Sequence, residues 1–467
     1  MKKLILVVLL MVSIPLLAVD YEWNNNSGDN DFVNLNNWYE IGTTNLPAGP
    51  FTADDNLLVE LAGADKAVLN SASAGRWLRA GWNDNTSGEI EIAAGADLNL
   101  SDSVYLGFGT NTTATINMSG GSLSANSSYT TIANSGQAYL NVSGGTYSSD
   151  RMSVGNGAGG RGEVNASGTG QMTFAADIYV GQNGEGYLNV SDDAGFSARS
   201  MTTGRYATGT GETNVSGSGQ FTLSGYATFG NNAGNGTLNA SGGSFTANRM
   251  NVGLGDAGSV GEINVSGTGQ VIIDTYSTFG NTGQGFLNVS GGSFSADRMT
   301  LGQNGGFGQV TVSGTGSFEL ADYLTSNTGD LLFRLEGSQA SVAMGGNIRS
   351  SSDFGSYIFE FALDGANGVG DGIFAQTGIT LNEGVKIDLE FIGAAVDGTY
   401  TIMSTPDVFN DFTTSGLLSD DSVAAGWTYD IVTGDTLTEL QVTIPEPATM
   451  LLLLGGGMIA LKRRKTE

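Results

Sequence analysis

Asn117-Met-Ser-Gly120, Asn141-Val-Ser-Gly144, Asn165-Ala-Ser-Gly168, Asn189-Val-Ser-Asp192, Asn214-Val-Ser-Gly217, Asn239-Ala-Ser-Gly242, Asn264-Val-Ser-Gly267 and Asn288-Val-Ser-Gly291 are eight copies of one tetrad. A ninth copy carries Thr311 in place of Asn. The anchors fall 24, 24, 24, 25, 25, 25, 24 and 23 residues apart. Self-similarity at such a period marks a stacked repeat array, in which each unit buries its apolar face against its neighbours. A longer period lies inside the first. The A units carry an aromatic and then a Met: Tyr147/Met152, Phe196/Met201, Phe245/Met250 and Phe294/Met299, each pair 49 residues from the next. The alternate B units carry Gln171, Gln220 and Gln270, with Tyr226, Tyr276 and Tyr323 six residues after Gln220, Gln270 and Ser317.

Within a unit the pattern is that of strands. In Tyr139-Leu-Asn-Val-Ser143, Leu140 and Val142 share one face and Asn141 and Ser143 the other, the two-residue period of a half-buried strand. Two further short runs follow, separated by Gly-rich turns. No helical period occurs. A hairpin stack would also repeat in this way, but three short runs per unit best fit one coil of an all-β, parallel β-helix. Parallel crossovers favour the right hand. About ten coils over residues 89–329, at about 4.8 Å each, predict a rod about 50 Å long.

Composition narrows the function. The chain has 467 residues with 73 Gly and only six Pro, which suits a turn-rich solenoid rather than collagen. Net charge is −28, and a surface of that sign repels nucleic acid. Cysteine and histidine are both absent. That removes disulfides, thiolate chemistry, the usual general base and the commonest transition-metal ligand. We therefore expect no catalytic residues, no cofactor and no enzyme. Acidic stretches such as Asp29-Asn-Asp31, Asp54-Asp55 and Asp420-Asp421 leave surface Ca²⁺ as an option.

Taken in order, residues 1–18 read as a secretory signal peptide: a basic start, an apolar run over 4–17 and a small-residue cleavage site at Ala18. Residues 19–88 hold Trp23, Trp38, Trp77 and Trp82, four of the five tryptophans. An open coil end exposes strand edges and core, so this region reads as an N-terminal cap; a sugar-stacking aromatic platform is the alternative. The array fills 89–329. Residues 330–443 read as longer strands, either a separate β-sheet or sandwich cap or further irregular coils, and a separate cap is our expectation. The last segment, 444–467, has Pro445-Glu446-Pro447, an apolar run over 448–461 and then Lys462-Arg463-Arg464-Lys465. An apolar run with a basic stop has the logic of a transient transmembrane anchor, its cationic end held on the cytoplasmic side, although about 20 residues are needed for a stable span.

Within each tetrad, outward Asn side chains on successive coils can pair as a ladder, as stacked amides do in cross-β assemblies. Asn117, Asn141, Asn165, Asn189, Asn214, Asn239, Asn264 and Asn288 would form it; each is also an N-x-Ser sequon. The carboxylates align with no single site: Asp177 shares its repeat position with Tyr226 and Tyr276, while Arg151, Arg249 and Arg298 share another, beside Asp150 and Asp297. These read as corner pairs.

The three-part C-terminal order resembles the PEP-CTERM sorting signal of Gram-negative bacteria, over about 24 residues. That resemblance implies an exosortase and the secretion machinery as partners, transient inner-membrane contact through 448–461, passage through the periplasm to the cell surface or medium, and association with exopolysaccharide. The array resembles the β-helix repeats of autotransporter passenger domains. The expected function is an exported structural or adhesion protein of the surface or extracellular matrix. The alternatives are a polysaccharide-active lyase or glycosidase on the same fold, or a glycan-binding adhesin.

Overall fold

The computed structural model describes residues 18–336, 340–346, 348–349, 357–364, 369–370, 372–381, 385–391, 396–411 and 416–445. The alternation in each tetrad becomes a six-residue strand with every second side chain buried, as in Arg161–Ala166, Glu185–Val190, Thr210–Val215, Asn235–Ala240, Val260–Val265 and Gln284–Val289. Each pairs in parallel with the equivalent strand one coil away, so Asn165 lies opposite Asn189, Asn189 opposite Asn214, Asn214 opposite Asn239 and Asn239 opposite Asn264. A one-residue slip would turn Leu188, Leu238 and Ile263 out to water, and this pins the register.

Two more faces complete the coil. The second stacks Gln171–Phe174 and Gly195–Ala198 with their repeats, and the third stacks Asp177–Val180 and Ser200–Thr203 with theirs. In the later units both faces fall within one bent strand, such as Gln220–Asn231 and Ser244–Leu254. The corner is asymmetric: Leu223 faces Ala247 and Tyr226 faces Arg249, so the B unit spends one extra residue there. The result is an all-β, mostly parallel solenoid of roughly a dozen coils.

The core is one continuous apolar column. On its second face Phe196, Phe221 and Phe245 stack with centroids 4.6 and 5.1 Å apart. Val271 interrupts the row, and Phe279 from the third face leans on Phe294 at 6.1 Å. Two glycine columns let successive coils close. Gly230 has φ +68°, and a Cβ there would lie 2.1 Å from the Val260 carbonyl oxygen; a Cβ on Gly236 would lie 2.5 Å from the Gly230 nitrogen.

At the N-terminal end Asp20–Trp23 runs parallel to Asn56–Val59 and antiparallel to Trp38–Glu40. Trp38 meets Trp23, Phe32 and Phe51 edge-on in a buried aromatic cluster at this end, and it donates from Nε1 to the Phe32 carbonyl at 2.8 Å.

For residues 330–443 the parallel stacking runs on instead of stopping. Phe307–Ser313, Asp330–Glu336, Tyr357–Asp364 and Val385–Phe391 are successive strands of the first face. Antiparallel pairing takes over at the end, where Thr438–Ile444 lies between Gly398–Thr405 and Thr428–Thr433. The tetrad is lost in these coils, but alternation survives: Leu331, Phe333 and Leu335 are buried in turn.

Candidate functional site on the outer faces and the C-terminal exit

The outward asparagines of the first face form an unbroken chain of amides. Nδ2 of Asn141 donates to Oδ1 of Asn117 at 2.8 Å, Asn165 to Asn141 at 2.8 Å, Asn189 to Asn165 at 2.7 Å and Asn214 to Asn189 at 2.8 Å. Asn239 donates to Asn214 at 2.9 Å, Asn264 to Asn239 at 3.0 Å and Asn288 to Asn264 at 2.9 Å. Every donor belongs to the later coil, so the side-chain dipoles point one way and can polarise one another. The second amide proton goes to glutamate in three places: Asn165 to Glu163, Asn239 to Glu212 and Asn288 to Glu262, each at 3.1 Å. Thr311 ends the ladder opposite Asn288.

The third face carries a second column. Along it Tyr129 pairs with Arg151, Tyr226 with Arg249, Arg249 with Tyr276 and Tyr276 with Arg298. The Arg249 guanidinium lies 5.4 Å from the Tyr226 ring centroid and 5.0 Å from that of Tyr276; Arg151 lies 5.5 Å from Tyr129 and Arg298 5.5 Å from Tyr323. Arg151 and Arg249 also donate to the hydroxyls of Tyr129 and Tyr226, at 3.2 and 3.1 Å. Sequence reading placed the A-unit arginines and B-unit tyrosines at separate repeat positions. The extra corner residue of the B unit brings them into one row. The signal lay in the offset of six residues from Gln220 to Tyr226 against five from Ser244 to Arg249.

Carboxylates beside this row are held by the arginines. Asp150 meets Arg151 at 3.5 Å, Asp177 meets Arg199 at 2.9 Å, and Asp297 and Asp322 meet Arg298 at 3.1 and 3.5 Å. Hydrogen bonding to Tyr323 first, and to Asp297 second, holds the Arg298 guanidinium above its ordinary value. Among the described residues, no group of three or more acidic side chains is placed to hold a metal ion.

The four N-terminal tryptophans divide between two jobs. Trp23 and Trp38 are buried in the end plug. Trp77 lies on the third face and Trp82 in the turn that follows it, each 4.2 Å from the Arg79 guanidinium, and Trp82 stacks on Phe108 at 4.3 Å.

The chain leaves the solenoid at Ile444, the last residue of a strand paired on both sides, and Pro445 follows directly. Residues 443–465 match the family model of the PEP-CTERM protein-sorting motif. No curated protein and no solved structure matches the chain. The match supports an exported protein directed to the surface through this segment.

Residues 1–17 of the expected signal peptide, Glu446, Pro447, the apolar run 448–461 and Lys462, Arg463, Arg464 and Lys465 lie outside the described residues. The expectation of a transmembrane segment is corrected. Among the described residues no helix is long and apolar enough to cross a membrane; the α-helix found, Asp420–Ala424, has five residues. The 14-residue apolar run falls short of the roughly 20 that a stable span requires.

Proposed function

We propose that the chain is a non-enzymatic, exported rod that works as a structural or adhesive element at the surface of a Gram-negative cell or in its matrix. In this reading it passes through the periplasm, and an exosortase processes its C-terminal segment. The observation that carries the proposal is the continuity between the matched segment and the end of the rod. Thr438–Ile444 is the middle strand of the terminal antiparallel set, so the sorting residues emerge from a firmly held end and leave the column whole. The non-enzymatic reading is supported by the carboxylates along the third face: Asp150, Asp177, Asp297 and Asp322 each face an arginine. Kinship with autotransporter passenger domains rests on coil architecture.

Deleting 445–467 tests the sorting role. The last strand stays intact, so a changed location cannot be blamed on a broken fold. The expected outcome is a truncated protein retained in the cell, whereas the full chain is exported with its C-terminus trimmed within the matched segment, as read by fractionation and mass spectrometry. Unchanged location of the truncated protein, or a full chain that keeps its intact C-terminus after export, would refute it.

A further inference from the structure

The arginines of this acidic chain are not scattered. Arg76, Arg79, Arg151, Arg199, Arg205, Arg249 and Arg298 all belong to the third strands or their corners, seven of the 18 basic residues in a chain of net charge −28. Aromatic rings alternate with them: Arg79 sits between Trp77 and Trp82, Arg205 lies 4.2 Å from Tyr179, and Arg249 sits between Tyr226 and Tyr276. Arg151, Arg249 and Arg298 of the row each reach a neighbouring ring, and Arg151 and Arg249 each spend one Nη–H on the hydroxyl of Tyr129 or Tyr226. Tyr129 and Tyr226 are nearly half exposed, at 49% and 46%. At Arg249 the repeat places Asn248 where Arg151 and Arg298 have Asp150 and Asp297, and among the described residues no carboxylate forms an ion pair with it. Beside it a groove of about 620 Å³ runs between Asp177, Tyr179, Arg199, Ser200, Tyr226 and Thr228.

We propose that this stripe binds a linear polysaccharide bearing carboxylates, laid along the rod with an acid group on Arg249. The proposal deepens the adhesive reading above and is independent of how the chain is sorted. Arg249 and Arg298 are one A–B pair of coils apart, about 10 Å at the strand spacing; Arg298 already faces Asp297 and Asp322, so one acid group is seated on Arg249 and the sugars to either side lie along Tyr226 and Tyr276. Guanidinium edges match carboxylates in bidentate geometry. Tyrosine hydroxyls beside them suit ring hydroxyls. A nucleic acid fits worse, since duplex DNA carries one charge per about 1.7 Å and would set many unmatched phosphates against an acidic body.

The test uses the full chain in calcium-free, low-salt buffer, with immobilised alginate as probe and its propylene glycol ester and duplex DNA as comparisons. The expected result is retention on alginate, weakened by salt, with little on the ester or DNA. Arg249→Gln lowers alginate affinity about tenfold, the loss of one charge-assisted contact. Arg161→Gln makes the same charge change off the stripe and leaves affinity unaltered. Equal binding of the ester, preference for DNA, no retention at all, or indistinguishable R249Q and R161Q proteins would each overturn the assignment. The wild-type comparison of alginate with its ester needs no variant, and location in the cell is not read by any arm.

Discussion

The amide ladder makes a position-dependent prediction about stability. Asn214 sits in its interior, donating to Asn189 at 2.8 Å and accepting from Asn239 at 2.9 Å. Asn117 is its first member and takes part in one ladder bond, accepting from Asn141. A net hydrogen bond contributes about 1 kcal/mol. Asn214→Ala therefore costs about 2 kcal/mol and Asn117→Ala about 1 kcal/mol by this count. Partial relief comes in the interior, because Asn239 keeps its bond to Glu212, whereas Asn189 loses its donor. Asn214→Asp is the sharper probe. The aspartate still accepts from Asn239 but offers Asn189 no proton, and it adds a charge near Glu212; the expected cost is at least that of alanine at neutral pH. The converse change is Thr311→Asn, which faces Asn288 in register and extends the ladder by one bond, a gain of about 1 kcal/mol. Urea titration gives the free energies. Hydrogen exchange, read coil by coil, shows whether the loss is local, as nearest-neighbour coupling in a stacked array requires. Equal costs at Asn117 and Asn214, or destabilisation by Thr311→Asn, would refute the view that the amides act as a connected chain.

Gly230→Ala places a Cβ 2.1 Å from the Val260 carbonyl at φ +68°, and we expect a loss of about 3 kcal/mol or more, with early proteolysis at that coil. Phe221→Ala empties the middle of a three-ring stack and should cost about 3–5 kcal/mol in urea titration; a cost near 1 kcal/mol would mean that the column collapses to fill the space. The N-terminal end should be acid-sensitive. Hydrogen bonds from Asn37, the Asp31 backbone N–H, Asn34 and Ser27 hold the Asp29 carboxyl well below the usual carboxylate range. Its folded value is depressed, so its contribution is present above the ordinary carboxylate value and fades as pH falls below about 4. Asp29→Asn should flatten the acid dependence of exchange at residues near Asn34 and Asn37, and an unchanged profile would refute the role.

Why the repeats disclosed so much, and the ends so little, follows from what each part of the column must satisfy. Inside the array every coil meets an identical floor and ceiling, so one physical requirement is printed many times: Leu188, Leu238 and Ile263 inward, Asn189, Asn239 and Asn264 outward, and a Gly where two turns touch. Period alone then gives face, register and the amide row. The stripe on the third face needed more, because Tyr226 and Arg249 come from different kinds of unit and line up only after the B corner takes its extra residue; a repeat alignment made within each kind keeps them apart. Past Asn288 the outward constraint relaxes. Arg334 pairs with Glu360 across coils where the amides used to run, so the tetrad disappears while Phe333 and Phe359 keep the interior filled. The eye loses the repeat, but the core does not. What ends the solenoid is a change in strand direction, set where Gly398–Thr405 accepts Thr438–Ile444 as an antiparallel neighbour. That choice depends on pairing between segments some forty residues apart, which no local pattern records.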